Sequence, residues 1–224
     1  MTRRKALWGG LIAVAIAFAV ALYLFALNWR PSPSNYPSQG VDVSAATGAI
    51  DWNAVKAAGA EFGYIVATDG ADRDTRFEEN WRGAAAADIR RGAIHVLSLC
   101  RSAADQINNF NTTVPMSADA LPPALSIDFA PGCDARPERD AVLAELRRFI
   151  AAVEAHSDRP VILLVSRAFE ARYRVTAAFD RPVWSAANFF APDYAARPWR
   201  IWRANDMRRI DGVDRTVNWD VVAK

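Results

Sequence analysis

Phe62-Gly63-Tyr64-Ile65-Val66-Ala67-Thr68-Asp69-Gly70 is the stretch on which the fold turns. Its residues are almost continuously apolar and β-prone until Thr68-Asp69-Gly70. That pattern fits a strand covered on both faces, with a polar tip, better than one with a solvated face. Similar runs occur on either side: Val41–Ser44 before it, then Ala93–Leu99, Ala124–Phe129, Val161–Ser166, Val183–Ala187, Arg200–Arg203 and Val217–Val222. Helical patterns at Trp52–Ala58, Arg76–Arg91, Ala103–Phe110 and Arg136–His156 alternate with the earlier strands. Asp51 is placed to cap the first helix and Gly59 to end it; Gly92 reads as the terminator of the second. The last two gaps between strands are too short for full helices. The expectation is an α/β fold, an irregular (β/α) barrel of about eight strands. An open doubly wound sheet is the competing architecture, but no GxGxxG or P-loop supports nucleotide binding.

The chain has 224 residues, 52% hydrophobic, 11% aromatic and 23% charged, a balance that excludes a disordered or fibrous protein. Two cysteines without a CxxC motif or a Cys/His cluster exclude a disulfide miniprotein, so neither metal nor cofactor is expected. The net charge of +2 is uneven: residues 1–39 hold Arg3, Arg4, Lys5 and Arg30 with no acid, which leaves the body at −2. A body of that charge offers no basic footprint, so no nucleic-acid partner is expected.

Ala6 to Leu27 is a run of 22 apolar or small residues. As a helix it would span about 33 Å, close to the hydrocarbon thickness of a bilayer. Three cations precede it, which keeps the N-terminus in the cytoplasm, and Trp8 and Trp29 lie near its ends. The run is longer than the apolar core of a signal peptide, and Asn28-Trp29-Arg30-Pro31 is a poor cleavage site. The expected order is a basic N-terminus (1–5), a transmembrane helix (6–27), a Pro/Ser-rich tether (28–39) and the barrel (40–224). The barrel would sit on the periplasmic side of the inner membrane, held by a single-pass anchor.

In such barrels the chemistry sits where the parallel strands end. A carboxylate in an apolar strand is costly unless paired or solvated, which singles out Asp42 and Asp128. The bland alternative is that each caps a loop. His95 reads equally as a hydrogen-bonded core residue or a site residue. Of Trp184, Trp199, Trp202 and Trp219, one is expected to stack on a sugar, with Trp184 and Trp202 as the candidates. Cys100 and Cys133 follow neighbouring strands on one barrel face, so pairing in an oxidising compartment is left open.

Gly40-Val41-Asp42-Val43-Ser44, Gly48-Ala49-Ile50-Asp51-Trp52, Val66-Ala67-Thr68-Asp69-Gly70, Gly92-Ala93-Ile94-His95 and Leu121-Pro122-Pro123-Ala124-Leu125 together resemble the lysozymes of glycoside hydrolase family 25, which are N-acetylmuramidases. The likeness extends more weakly through Trp199 to Val222. It implies a groove for peptidoglycan or a related amino-sugar glycan. It also implies an Asp-x-Glu pair on the fourth family strand, aided by Asp residues on the first and last. Here that pair reads Ser126-Ile127-Asp128, the first-strand acid is Asp42, and the last-strand position holds Asn218, with Asp214 or Asp220 in reach of a register shift. Asp69 replaces a Glu of the family's second strand. The resemblance therefore implies Asp128 and Asp42 as catalytic residues, with Ser126, Asn218, Asp69, His95, Trp184 and Trp202 binding substrate. The acidic set is depleted, which leaves two readings: a peptidoglycan glycosidase, or a binding module that keeps the groove without turnover.

Overall fold

The structure is a computed structural model that describes residues 2–224. Helix α1 (Thr2–Asn28) comes first, followed by β1 (Gln39–Val43), a short 3-10 turn at Ala45–Thr47, α2 (Trp52–Ala57) and β2 (Phe62–Asp69). The two-residue β3 (Asp72–Arg73), α3 (Phe77–Ala86), β4 (Arg90–Val96), α4 (Ala103–Thr113), β5 (Ala124–Ile127) and α5 (Arg139–Ser157) complete the first half. Then come β6 (Ile162–Val165), α6 (Arg167–Tyr173), α7 (Val175–Ala178), β7 (Val183–Ala186), β8 (Trp199–Arg208) and β9 (Val217–Val222).

Eight strands close a barrel in the order β1-β2-β4-β5-β6-β7-β8-β9, with β3 appended to β2 and the β1–β2 pairing closing the ring. All neighbours are parallel except β9, which runs antiparallel to both β8 and β1. The sequence reading of an irregular eight-strand α/β barrel holds. The irregularity lies where the gaps are too short for crossover helices: the β7–β8 connection crosses over without a helix, and the shorter β8–β9 connection returns antiparallel.

Strand alternation divides the core in two. Inward residues Phe62, Tyr64, Ile94, Ala124, Ile162, Leu164, Trp184 and Ile201 fill the barrel, while outward residues such as Leu125, Ile127, Leu163 and Val165 pack under the helices. Gly92 was read as a helix terminator, and here the structure corrects the sequence. The helix ends at Ala86, and Gly92 lies inside β4, where a Cβ would come within 2.3 Å of the Tyr64 ring. Asp51 does cap α2, accepting from the Asn53 and Ala54 N–H groups, and Gly59 follows that helix at φ +97°.

Among the described residues no helix runs along the outer faces of β8 and β9; α1 meets β8 only through its C-terminal end. The stretch after α1, expected as a tether, lies against them instead. Trp29 and Tyr36 pack on Trp202, and Tyr36 also meets Trp199. Arg30 lies over the Trp219 ring and donates to the Ala58 carbonyl. Trp219, wholly buried, donates its indole N–H to Gln39. The apolar outward faces of these strands require a cover, and this strap of chain supplies it where an α/β barrel would use a helix.

Candidate active site

The C-terminal ends of the parallel strands open onto a polar cavity of about 210 Å³. Asp42, Ser44, Thr47, Ser126, Arg203, Thr216 and Asn218 line it, above a floor that includes Val66, Ile94 and Leu164. Inward strand positions carry the polar groups: Asp42 on β1, Ser126 on β5, Arg203 on β8 and Asn218 on β9. The site is the top of the same interior stack whose lower rungs are apolar.

Asp42 is 4% exposed and does not stand free. Both of its oxygens accept from Arg203, at 2.8 Å each, and Asn218 Nδ2 donates to Oδ1 at 2.7 Å. A bidentate guanidinium pair of this kind holds the carboxylate rigidly and balances its charge. Burial alone would lower the Arg203 pKa, but the charge of Asp42 and its hydrogen bonds to the guanidinium lead the causes that outweigh it and raise it. Sequence reasoning passed over Arg203, although a cation between Trp202 and Ala204 meets the same criterion that singled out Asp42.

Asp220 lies one inward rung below Asn218 and is fully buried. Its Oδ1 accepts from the Trp184 indole N–H at 3.1 Å, while Oδ2 has no partner other than the neighbouring Asp42 carboxylate. Burial first, and then the Asp42 charge, push its pKa well above the usual carboxylate range, with Arg203 and Trp184 opposing. Arg203 is already committed to Asp42, so Asp220 is the acid that keeps a proton, and that proton satisfies the orphaned oxygen.

A testable consequence follows for stability. An acid whose pKa is raised in the folded state holds a proton that the unfolded chain releases above about pH 4, so its contribution to stability is lost as pH rises through the folded value. Asp220→Asn keeps a donor toward Asp42 and an acceptor for Trp184 but removes the titration. Urea unfolding should show the variant gaining on wild type from pH 5 to pH 8. A stability difference that does not change with pH would contradict a protonated Asp220.

Asp128 follows β5 on the rim, two residues beyond Ser126 and so on the same inward side. It is exposed, and its Oδ1 accepts from the Ser166 hydroxyl at 2.6 Å and the Phe129 N–H at 2.7 Å. Among the described residues no salt bridge reaches it. Ser166 also caps α6 by accepting from the Phe169 N–H, so the group that orients Asp128 is itself fixed. Nearby, Cys100 and Cys133 form a disulfide joining the loops that follow β4 and β5.

The other expected site residues lie elsewhere. His95 is fully buried, bonded to Thr68 at 2.7 Å and Gln106 at 3.0 Å, and stacked on Phe149. Burial lowers its pKa to about 4 against the opposing Gln106 bond, so it is a neutral core residue. Trp184 is sealed inside the barrel, 5.0 Å from the Tyr64 ring, and cannot stack on a sugar. Trp202 faces outward beneath the strap and donates to the Ala187 carbonyl. These three are corrections with one cause: a large side chain at the middle of a strand belongs to the core on either face. Asp69 is exposed at the end of β2, outside the cavity lining, with its pKa raised by partial burial and by Asp72.

The barrel with its polar upper rung is that of a class of glycan-cleaving enzymes. A family 25 glycosyl hydrolase from Bacillus anthracis superimposes with a TM-score of 0.80 at 26% identity, covering 88% of this chain and 93% of that one. A lysozyme from Streptomyces coelicolor does so with a TM-score of 0.76 at 27% identity, covering 84% and 92%. The Escherichia coli K12 protein YegX is 28% identical over 222 residues, 92% of this chain and 79% of that protein. The model of the glycosyl hydrolases family 25 matches residues 41–213, and the chain belongs to that family.

Proposed function

We propose that the protein is a membrane-anchored, lysozyme-type glycosidase that cleaves peptidoglycan glycan strands, with Asp128 as the general acid. One observation carries this most: Asp128 is exposed just after β5, two residues beyond the cavity-lining Ser126, with its carboxyl oriented by Ser166 in a family 25 barrel. Glycosidic cleavage requires a proton at the leaving oxygen and polar support for the developing cation. Asp128 would protonate the leaving oxygen of the glycan, and Asp42, Ser126 and Asn218 line the cavity that would receive the reacting sugar. Helix α1, apolar from Trp8 to Asn28 and 6% buried over its most apolar window, supports an inner-membrane anchor with the barrel outside the cytoplasm.

A second reading is favoured by the Arg203–Asp42 pair, which neutralises a carboxylate in a site where Ser126 and Asn218 are already uncharged. On that reading the groove holds glycan without cutting it. Purified sacculi separate the two. The catalytic reading expects wild type to release reducing ends and Asp128→Asn to lose about a hundredfold or more, the usual contribution of a general acid. Sacculus binding with no reducing ends from wild type would establish the binding module instead.

A further inference from the structure

The end of α1 is built into the barrel's rim. Asn205 Nδ2 donates to the carbonyls of Ala26 and Trp29, Arg208 to that of Asn28, and the Arg209 N–H to that of Leu27. These residues lie at or just beyond the C-terminal end of β8, which runs parallel to β7, so they share the end of the barrel where the polar cavity opens. No linker separates the apolar helix from the domain. At that same corner the β7–β8 loop turns through Phe189 at φ +70°, a strained conformation for a bulky residue. The turn seats Phe189 edge-on against Trp29 with ring centroids 5.2 Å apart, and leaves Phe190 80% exposed. Among the described residues outside α1, the large exposed apolar ones are Phe190 and Met116, and Met116 precedes β5 at the opposite end of the barrel.

We infer that this corner docks on the outer leaflet of the bilayer, with Phe190 inserted among the headgroups beside the emerging helix, so that the cavity end of the barrel is held at the membrane surface. The proposal rests on the anchor reading above. The interfacial layer on each side of the hydrocarbon is about 6 Å deep, and Phe190 is the chain neighbour of Phe189, which packs on Trp29 at the helix end. Aromatic rings favour that depth. Charge contributes modestly: Arg30, Arg208 and Arg209 exceed Asp206 and Asp211 along this stretch by one positive charge. A strained backbone that turns one phenylalanine inward and its neighbour into solvent is accounted for if the second is covered by lipid. The consequence for substrate is positional: the site meets glycan lying next to the membrane.

The test uses the full chain in phosphatidylethanolamine/phosphatidylglycerol vesicles, spin-labelled singly at Phe190→Cys, Phe18→Cys or Met116→Cys. Ala191→Cys serves as a second reporter on the loop. Collision with oxygen reports lipid, and collision with a water-soluble nickel chelate reports solvent. The expected result is a label at 18 within the lipid, a label at 116 in water, and labels at 190 and 191 with several-fold fewer nickel collisions than 116. A label at 18 in lipid with 190 and 191 as water-accessible as 116 overturns the docking alone. A label at 18 in water overturns the anchor and the docking together.

Discussion

Arg203→Ala should destabilise the domain by about 3–5 kcal/mol at neutral pH, the cost of leaving a buried carboxylate without its partner. The pair is largely buried, with side-chain exposures of 21% for Arg203 and 5% for Asp42. Removing the guanidinium strands Asp42 beside Asp220, so that two acids share one pocket without a cation. The guanidinium also lies 5.8 Å from the Trp184 ring, so the truncation opens space against that indole. Chemical denaturation of wild type and variant at pH 8 checks the size. A cost below about 1 kcal/mol at pH 8 would mean that the pair is solvated and weak, as exposed ion pairs are.

Replacing both cysteines with serine should cost about 3–4 kcal/mol. Cys100 and Cys133 are separated by 33 positions, and a cross-link over that length removes loop-closure entropy of this order from the unfolded chain. The enclosed segment carries α4 and β5, hence Ser126 and Asp128, and the bond ties the loop beyond Asp128 to the loop beyond β4. Function should therefore weaken along with stability, because a rim carboxyl displaced by about 1 Å can lose a hundredfold in rate. Thermal unfolding of the double variant, and of wild type with and without reductant, measures the first effect; sacculus digestion measures the second. Equal melting in reducing and non-reducing buffer would show that the cross-link adds nothing.

Much of the frame was legible in the sequence because it depends on local pattern. The strand at Val217–Val222 was placed to the residue, and Asp51 announced its cap by type and position alone. Asp42 stood out because a carboxylate in an apolar strand needs an explanation wherever the strand lies. Gly92 failed the same kind of reading: a glycine after a helical pattern is a common terminator, and nothing nearby signals a Tyr64 ring across the barrel. Trp184 and Trp202 failed because alternation says that two residues face opposite sides of a strand, not how high each sits or what covers it.

The sequence by itself determined the apolar N-terminal run, the alternation of strands and helices, and the candidate acids at strand ends. Each of these follows from periodicity and residue chemistry within a few positions. Only the tertiary structure decided that Arg203 holds Asp42 from 161 positions away, that Asp220 shares their pocket, and that residues 29–36 cover the outer faces of β8 and β9. Barrel closure sets those partners by bringing β1, β8 and β9 side by side, and the neighbour across a strand pair is a property of register that no local pattern encodes.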